Sequence, residues 1–296
     1  MMTTAEQQLH NGNKIPVLGL GTYRMKTVEE LRPVVYEAIR SGYRLIDSAT
    51  VYRNEEALGQ ILTEIFKDPS FGVQRKDLFI TSKLSPQNQG FDACYQAVND
   101  SLERFGLDYF DLYLIHWPGT SKKKLSDPIN QENRTNSYKA LEKLYSEGKV
   151  KQIGISNYTE KHLSHLLSVC TVIPHVHQFE LHPCLHQPDI LDICQKNNIQ
   201  IQAYSSLGEG SLINGDVKIE CLQEIAQRLS ISKALVLLRW AVQHGWVIIP
   251  KSKTTARIQE NASVFSFEIS KDDMALLDNI HTYEPHRFCW NPSDVC

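Results

Sequence analysis

Short apolar runs and longer amphipathic stretches alternate along almost the whole chain. Eight runs have strand length and strand composition: residues 17–21, 43–47, 78–83, 110–116, 150–156, 176–180, 199–204 and 246–250. Helical spacing separates them. Residues 28–41 put Leu31, Val34, Val35, Ala38 and Ile39 on one face. Thr27 and Glu30 have capping-box spacing, and Gly42 suits the C-terminal stop. Pro33 inside that segment argues for a start nearer Arg32. Residues 91–105, 135–147, 159–169, 188–196, 216–229 and 233–243 read as further helices. Ahead of them, Asn11-Gly12 between two short β-prone pieces signals a hairpin.

A strand followed by a helix, repeated in this way, gives either a closed parallel barrel or a doubly wound sheet. Three features favour the barrel. The strand count is eight, no second region differs in composition, and no strand is followed by Gly-x-Gly-x-x-Gly. The expectation is therefore one α/β barrel domain over residues 1–296. Two connections exceed ordinary length, residues 118–134 with Lys122-Lys123-Lys124, and residues 205–215. The tail, residues 285–296, carries Phe288 and Trp290 in otherwise polar surroundings. In a barrel, loops after strands lie at the catalytic face, so all three segments are candidate walls of a substrate pocket. The lysine run reads as a solvated loop.

Composition narrows the partners more than the fold. The 296 residues are 42% hydrophobic and 22% charged, enough for a full core. A net charge of −3 gives no reason to expect nucleic acid or an anionic membrane surface. No apolar run is long enough to span a bilayer, and residues 1–8 lack a signal-peptide core. Seven cysteines, an odd number without Cys-x-x-Cys pairs, fit reduced thiols in a cytoplasmic protein. No Cys/His pairs have zinc spacing, so no metal is expected.

Chemistry enters at the ends of the strands. Asp47, Lys83 and His116 each close a predicted strand, and Tyr52 lies in the loop just after Asp47. Alone, each has an ordinary reading: turn residue, edge charge, packing imidazole, half-buried aromatic. Their shared position on one barrel face points to a site. A cation beside a phenol favours phenolate and should lower the Tyr52 pKa. A tyrosine so tuned gives a proton to a developing alkoxide, and a histidine orients a carbonyl oxygen. Such a site lacks a hydride source, so it needs a nicotinamide or a flavin.

With these residues in place the chain resembles the aldo-keto reductases. The resemblance runs from Gly19 to Asn261. Its motifs are Gly-Leu-Gly-Thr-Tyr (19–23), Ile46-Asp47-Ser48-Ala49 with Tyr52 and Asn54-Glu55, Ser82-Lys83-Leu84, Leu114-Ile115-His116-Trp117-Pro118, Gly154-Ile155-Ser156-Asn157-Tyr158, Gln178-Phe179-Glu180-Leu181-His182-Pro183, residues 203–208 and Ile249-Pro250-Lys251-Ser252. It implies a (β/α)8 TIM barrel with an N-terminal hairpin and a C-terminal tail over the active-site face. It also implies NADPH bound across that face, Tyr52 as general acid, Lys83 and Asp47 tuning it, and His116 orienting the carbonyl. Ser156, Asn157 and Gln178 are implied to hold the nicotinamide carboxamide, with Tyr204 against its ring. Thr22, Tyr23, Ser205 and Leu207 are implied cofactor positions. Lys251, Ser252 and Arg257 suit a 2′-phosphate, and Glu260 and Asn261 suit the adenine end.

Departures from the family pattern bear on substrate. Tyr23 stands where some members have tryptophan, and Ser206 where proline is frequent. Tyr23, Val51, Trp117, Phe288 and Trp290 suggest a largely apolar pocket for small-molecule aldehydes or ketones. The expected protein is a monomeric NADPH-dependent aldehyde reductase. Two other readings compete. A binding or structural protein on the same fold is opposed by the complete Asp/Tyr/Lys/His set. A hydrolase would need clustered acids or metal ligands at strand ends; Glu180 and His182 alone do not supply them.

Overall fold

The computed structural model describes residues 5–296. A hairpin opens the chain, with β1 (Glu6–Gln8) antiparallel to β2 (Lys14–Pro16). Eight parallel strands follow in chain order: β3 (Gly19–Gly21), β4 (Leu45–Asp47), β5 (Phe79–Leu84), β6 (Leu112–Ile115), β7 (Ile153–Ser156), β8 (Val176–Glu180), β9 (Gln200–Tyr204) and β10 (Val247–Ile248). Each pairs with its sequence neighbour. The two ends of the sheet meet as well. Ile248 N donates to Val17 O at 2.8 Å and Gly21 N to Pro250 O at 3.2 Å, which closes a (β/α)8 barrel.

The helices are α1 (Val28–Arg40), α2 (Glu55–Lys67), α3 (Phe91–Phe105), α4 (Ile129–Ser146), α5 (Glu160–Val169), α6 (Pro188–Lys196), α7 (Ser211–Asn214), α8 (Glu220–Leu229), α9 (Lys233–Gln243), α10 (Thr255–Ala262), α11 (Lys271–Asp278) and α12 (Ile280–Tyr283). Helix α1 starts at Val28, not near Arg32. Thr27 and Glu30 complete the capping box, and Pro33 is accommodated within the helix. Helix α4 begins six residues ahead of the expected 135. Asn130 in its first turn accepts from Thr120 N and donates to Lys124 O, so those positions serve the loop and show no apolar period. Helices α2, α7, α11 and α12 were not expected from the sequence. Gly59 weakens the helical signal of α2. It is required because a Cβ there would stand 2.6 Å from Phe105 O at the end of α3.

Two apolar layers result. The larger lies between strands and helices. The smaller fills the lower barrel interior with Leu45, Phe79, Leu112, Leu114, Val176, Val247 and Ile249, and hairpin residues Leu9 and Ile15 plug it from below. Register decides what sits above. Leu45 and Asp47 share a face of β4, Phe79 and Lys83 a face of β5, and Leu112 and Leu114 a face of β6. The same parity brings Ser156, Gln178 and Tyr204 inward on β7, β8 and β9.

Ile15 is fully buried in the plug. Ile15→Ala is therefore expected to lower unfolding stability by about 2–5 kcal/mol. A loss below about 1 kcal/mol by urea denaturation, against that range, would mean that the hairpin does not seal the barrel.

Candidate active site

A buried ion pair forms the floor of the site. Lys83 Nζ donates to Asp47 Oδ1 at 2.5 Å and to Ser48 O at 2.8 Å. Both side chains are essentially inaccessible to solvent. Gln178 Nε2 donates to the second Asp47 oxygen at 2.8 Å and also to Gln202 Oε1. The carboxylate is thus paired on both oxygens, the condition under which a buried charge persists. Burial holds the Lys83 ammonium below its ordinary pKa, while Asp47 opposes that shift.

Tyr52 packs directly over this pair. Lys83 Nζ lies 5.0 Å from the centre of its ring. His116 meets the ring edge-on at 5.7 Å, and Tyr23 flanks it at 5.1 Å. The expected fall in the Tyr52 pKa is not found. Burial raises it well above 10, and the Asp47 charge adds to the rise. Lys83 keeps its charge but is paired with Asp47, and it does not offset that burial. Tyr52 is accordingly held as a neutral phenol. Burial first, and then the Lys83 charge, lower His116 to about 3, which leaves a neutral imidazole. Its Nδ1 is buried without a partner among the described residues.

The loop carrying Tyr52 is fastened by residues whose roles are not apparent from the sequence. Asn54 accepts from Ser48 Oγ at 2.6 Å and donates to Thr22 O, Thr22 Oγ1 and Met25 O. Thr50 Oγ1 donates to Lys83 O. Buried Glu55 accepts from Ser82 Oγ at 2.6 Å and Arg104 Nε at 2.7 Å. Asn54-Glu55 was visible as a motif, but its partners come from distant elements.

The implied nicotinamide positions converge beside Tyr52. Asn157 Nδ2 donates to His116 O at 2.9 Å and to Ser156 Oγ at 3.0 Å, and Tyr204 OH donates to Asn157 Oδ1 at 2.6 Å. Asn157 and Ser205 both adopt left-handed φ, 62° and 49°, where the chain turns sharply off β7 and β9. Ser156 Oγ accepts from Asn157, which leaves its hydroxyl proton to donate. Thr22 is tied through N and Oγ1 to Asp47 O. Leu207 is half-buried, against the helix-side core.

The implied phosphate positions form a separate cluster. Arg257 is exposed in the first turn of α10, and Lys251 is exposed beside it in sequence. Partial burial, then the cations Lys253 and Arg24, lower the Lys251 pKa. Lys253 is committed to Glu30 at 2.8 Å. Ser252 is buried and bonds within its own loop, Asn261 is buried, and Glu260 is half-buried. Uncompensated positive charge at this spot fits an anionic group.

The pocket residues are less uniform. Trp117 and Trp290 meet edge-on at 6.1 Å, but Trp290 is 82% exposed. Val51 and Tyr23 are also exposed. Phe288 is half-buried because the Glu180 carboxylate anchors the tail, accepting from Phe288 N at 2.7 Å and Cys289 N at 3.1 Å. His182 donates to the same carboxylate. Burial would raise the Glu180 pKa, yet these hydrogen bonds bring it below its ordinary value.

Comparison with known proteins gives a consistent result. A family model described as Aldo/keto reductase family matches residues 17–282. The chain is 43% identical to a glyoxal reductase of Bacillus subtilis over 97% of this chain and 96% of that one. It is 42% identical to a 9,11-endoperoxide prostaglandin H2 reductase of Trypanosoma cruzi, over 92% and 90% respectively. Among solved structures, a Bombyx mori aldo-keto reductase in complex with NADP superposes with a TM-score of 0.85 at 29% identity, covering 98% of this chain and 96% of that one. No helix among the described residues is long and apolar enough to cross a membrane.

Three buried histidines and half-buried His116 should govern acid stability. His116 and His177 are held at about 3, and His162 and His175 at about 4, all chiefly by burial. Unfolding frees each to titrate near 6.5. Their contribution is intact above pH 6.5 and is lost as pH falls toward 4, by up to about 1.4 kcal/mol per pH unit for each. Urea denaturation at pH 7 and pH 5 should show the loss; equal stability at both would refute it.

Proposed function

The chain belongs to the aldo/keto reductase family, and on that premise we propose that it is an NADPH-dependent carbonyl reductase with Tyr52 as proton donor. The observation that carries this reading is the buried Asp47–Lys83 pair beneath a neutral phenol, with a neutral imidazole beside it. When bound, NADPH supplies the hydride. The remaining work falls to this chain. Neutral His116 offers an N–H to the carbonyl oxygen without bringing a competing charge. Tyr52 gives its proton to the alkoxide oxygen, a far stronger base than a phenolate even when the phenol's pKa is raised. The Lys83 cation then stabilises the phenolate that remains. The substrate carbonyl gains one hydride and one proton and becomes an alcohol.

Cofactor retention divides between two regions. Ser156, Asn157 and Gln178 supply hydroxyl and amide groups matched to a carboxamide, and Tyr204 offers a flat face. Lys251 and Arg257 match the 2′-phosphate of NADPH, Ser252 adds a hydroxyl, and Glu260 and Asn261 suit the adenine. Thr22, Tyr23, Ser205 and Leu207 flank the path between. The walls at Tyr23, Val51, Trp117, Phe288 and Trp290 suit small aldehydes and ketones of mixed structure. The glyoxal reductase relative supports that substrate class.

Tyr52→Phe should reduce kcat for NADPH-linked aldehyde reduction by about 100-fold or more while leaving the NADPH Kd within about twofold. Full activity in that variant would remove Tyr52 as the donor. Inactivity of the unaltered protein with every aldehyde, ketone and quinone tested would favour a binding protein on the same fold. Arg257→Ala should weaken NADPH by about 10–100-fold, the value of a charge-assisted contact. NADH binding should hardly change, and equal losses for both cofactors would separate Arg257 from the 2′-phosphate.

A further inference from the structure

We propose that His186, His244 and Asp278 form a binding site for one divalent transition-metal ion of the Zn2+, Co2+ or Ni2+ type. One ligand atom from each lies within 4.8 Å of the others, and all three residues are half-buried. They come from three parts of the chain. His186 lies in the connection from β8 to α6, His244 ends α9, and Asp278 is the last residue of α11. None touches Asp47, Tyr52, Lys83 or His116.

The side chains are already oriented. Trp240 Nε1 donates to Asp278 Oδ1 at 2.7 Å, and the same oxygen meets His244 Nε2 at 2.8 Å. Trp246 stacks on the His244 ring at 4.3 Å and 15°, and His186 packs edge-on against Trp240 at 5.6 Å. His281 bonds the Asp278 main-chain oxygen through Nδ1, which fixes the backbone at the end of α11.

Two imidazoles and one carboxylate select a borderline transition metal over Mg2+ or Ca2+, which favour all-oxygen sites. Metal–nitrogen and metal–oxygen bonds of about 2.0–2.2 Å require only modest closure of the present spacing. Partial exposure lets water complete the coordination. Binding through His244 Nε2 would replace that atom's contact with Asp278 Oδ1 and put the ring proton on Nδ1. The ion would join the helical layer at α9 and α11 to the segment next to Gln187. Gln187 donates to Glu180 O and accepts from Arg287, so it borders the anchor of the tail.

The test is a Co2+ titration of tag-free full-length protein, read by visible ligand-field absorption and by thermal unfolding. One equivalent is expected to bind, and a hundredfold excess over Kd should raise Tm by about 5 °C. His186→Gln and Asp278→Asn should each abolish the band and the Tm shift, while metal-free NADPH-linked turnover stays within about twofold, since no catalytic hydrogen bond is removed. His186→Gln leaves the Asp278 contacts to Trp240 and His244 in place, so it decides the matter if Asp278→Asn fails to fold. The proposal is overturned by no band and no Tm shift at millimolar Co2+. It is also overturned by binding that survives His186→Gln, or by thiolate charge-transfer absorption that assigns the ion to cysteines.

Discussion

The Lys83–Asp47 pair is the constraint around which the upper half of this barrel is arranged. Two ions removed from water cost several kcal/mol each unless every charge-bearing atom finds a partner. Here both Asp47 oxygens are bonded, one by Lys83 and one by Gln178. Lys83 reaches Ser48 O as well. Each partner is itself held. Gln178 is shared with Gln202, Ser48 is bonded to Asn54, and Asn54 ties down the loop after β3. The polar layer is therefore continuous from β3 round to β9. It fixes the position of the Tyr52 ring more firmly than contacts of that ring alone would.

The barrel supplies this layer through parity and stagger. Inward positions alternate along each strand, and adjacent strands are offset. Asp47 pairs in register with Thr81, two residues short of Lys83, and Lys83 pairs with Leu114, two short of His116. The three ionisable groups thus climb the inner wall by one inward step per strand. Below them the inward positions are mostly apolar or glycine, with Thr81 and Gln200 as polar exceptions. Gly154 keeps that layer narrow, since a Cβ there would stand 2.2 Å from Val176 O. An apolar floor with a paired ionic layer above it gives the desolvation that keeps Tyr52 and His116 neutral.

Much of this was legible because it is periodic or local. Strand runs, strand-end residues and the hairpin turn are short-range signals, and α3, α6 and α9 begin and end where their patterns do. Interactions between distant residues were not legible. Glu55 looks like an ordinary acid at a helix start until Arg104 and Ser82 meet it. The direction of the Tyr52 shift is set chiefly by how deeply the phenol is buried, which no spacing reveals. The His186, His244 and Asp278 cluster draws its residues from three separate parts of the chain, so a search for paired Cys/His ligands passes over it.

The same contrast separates reaction from specificity. The proposed reacting layer is built from strand ends whose positions the sheet determines. The walls come from segments fastened at only a few points. Glu180 is the uppermost inward residue of β8, and it holds Phe288 and Cys289 by their main-chain N–H groups. At the other end of the tail, Cys296 N donates to Leu125 O, and buried Arg134 donates to Cys296 O. His162 bonds Val295 O. Between these anchors Trp290 is largely exposed, with the edge of Trp117 as its aromatic neighbour. The span proposed to face a substrate is thus bounded at both ends by bonds to the barrel, and within it only Pro292 is buried. Changes at the exposed residues Trp290, Asn291, Ser293 and Asp294 are remote from the ion pair. Changes at Glu180 would act on the wall and on the top of β8 together.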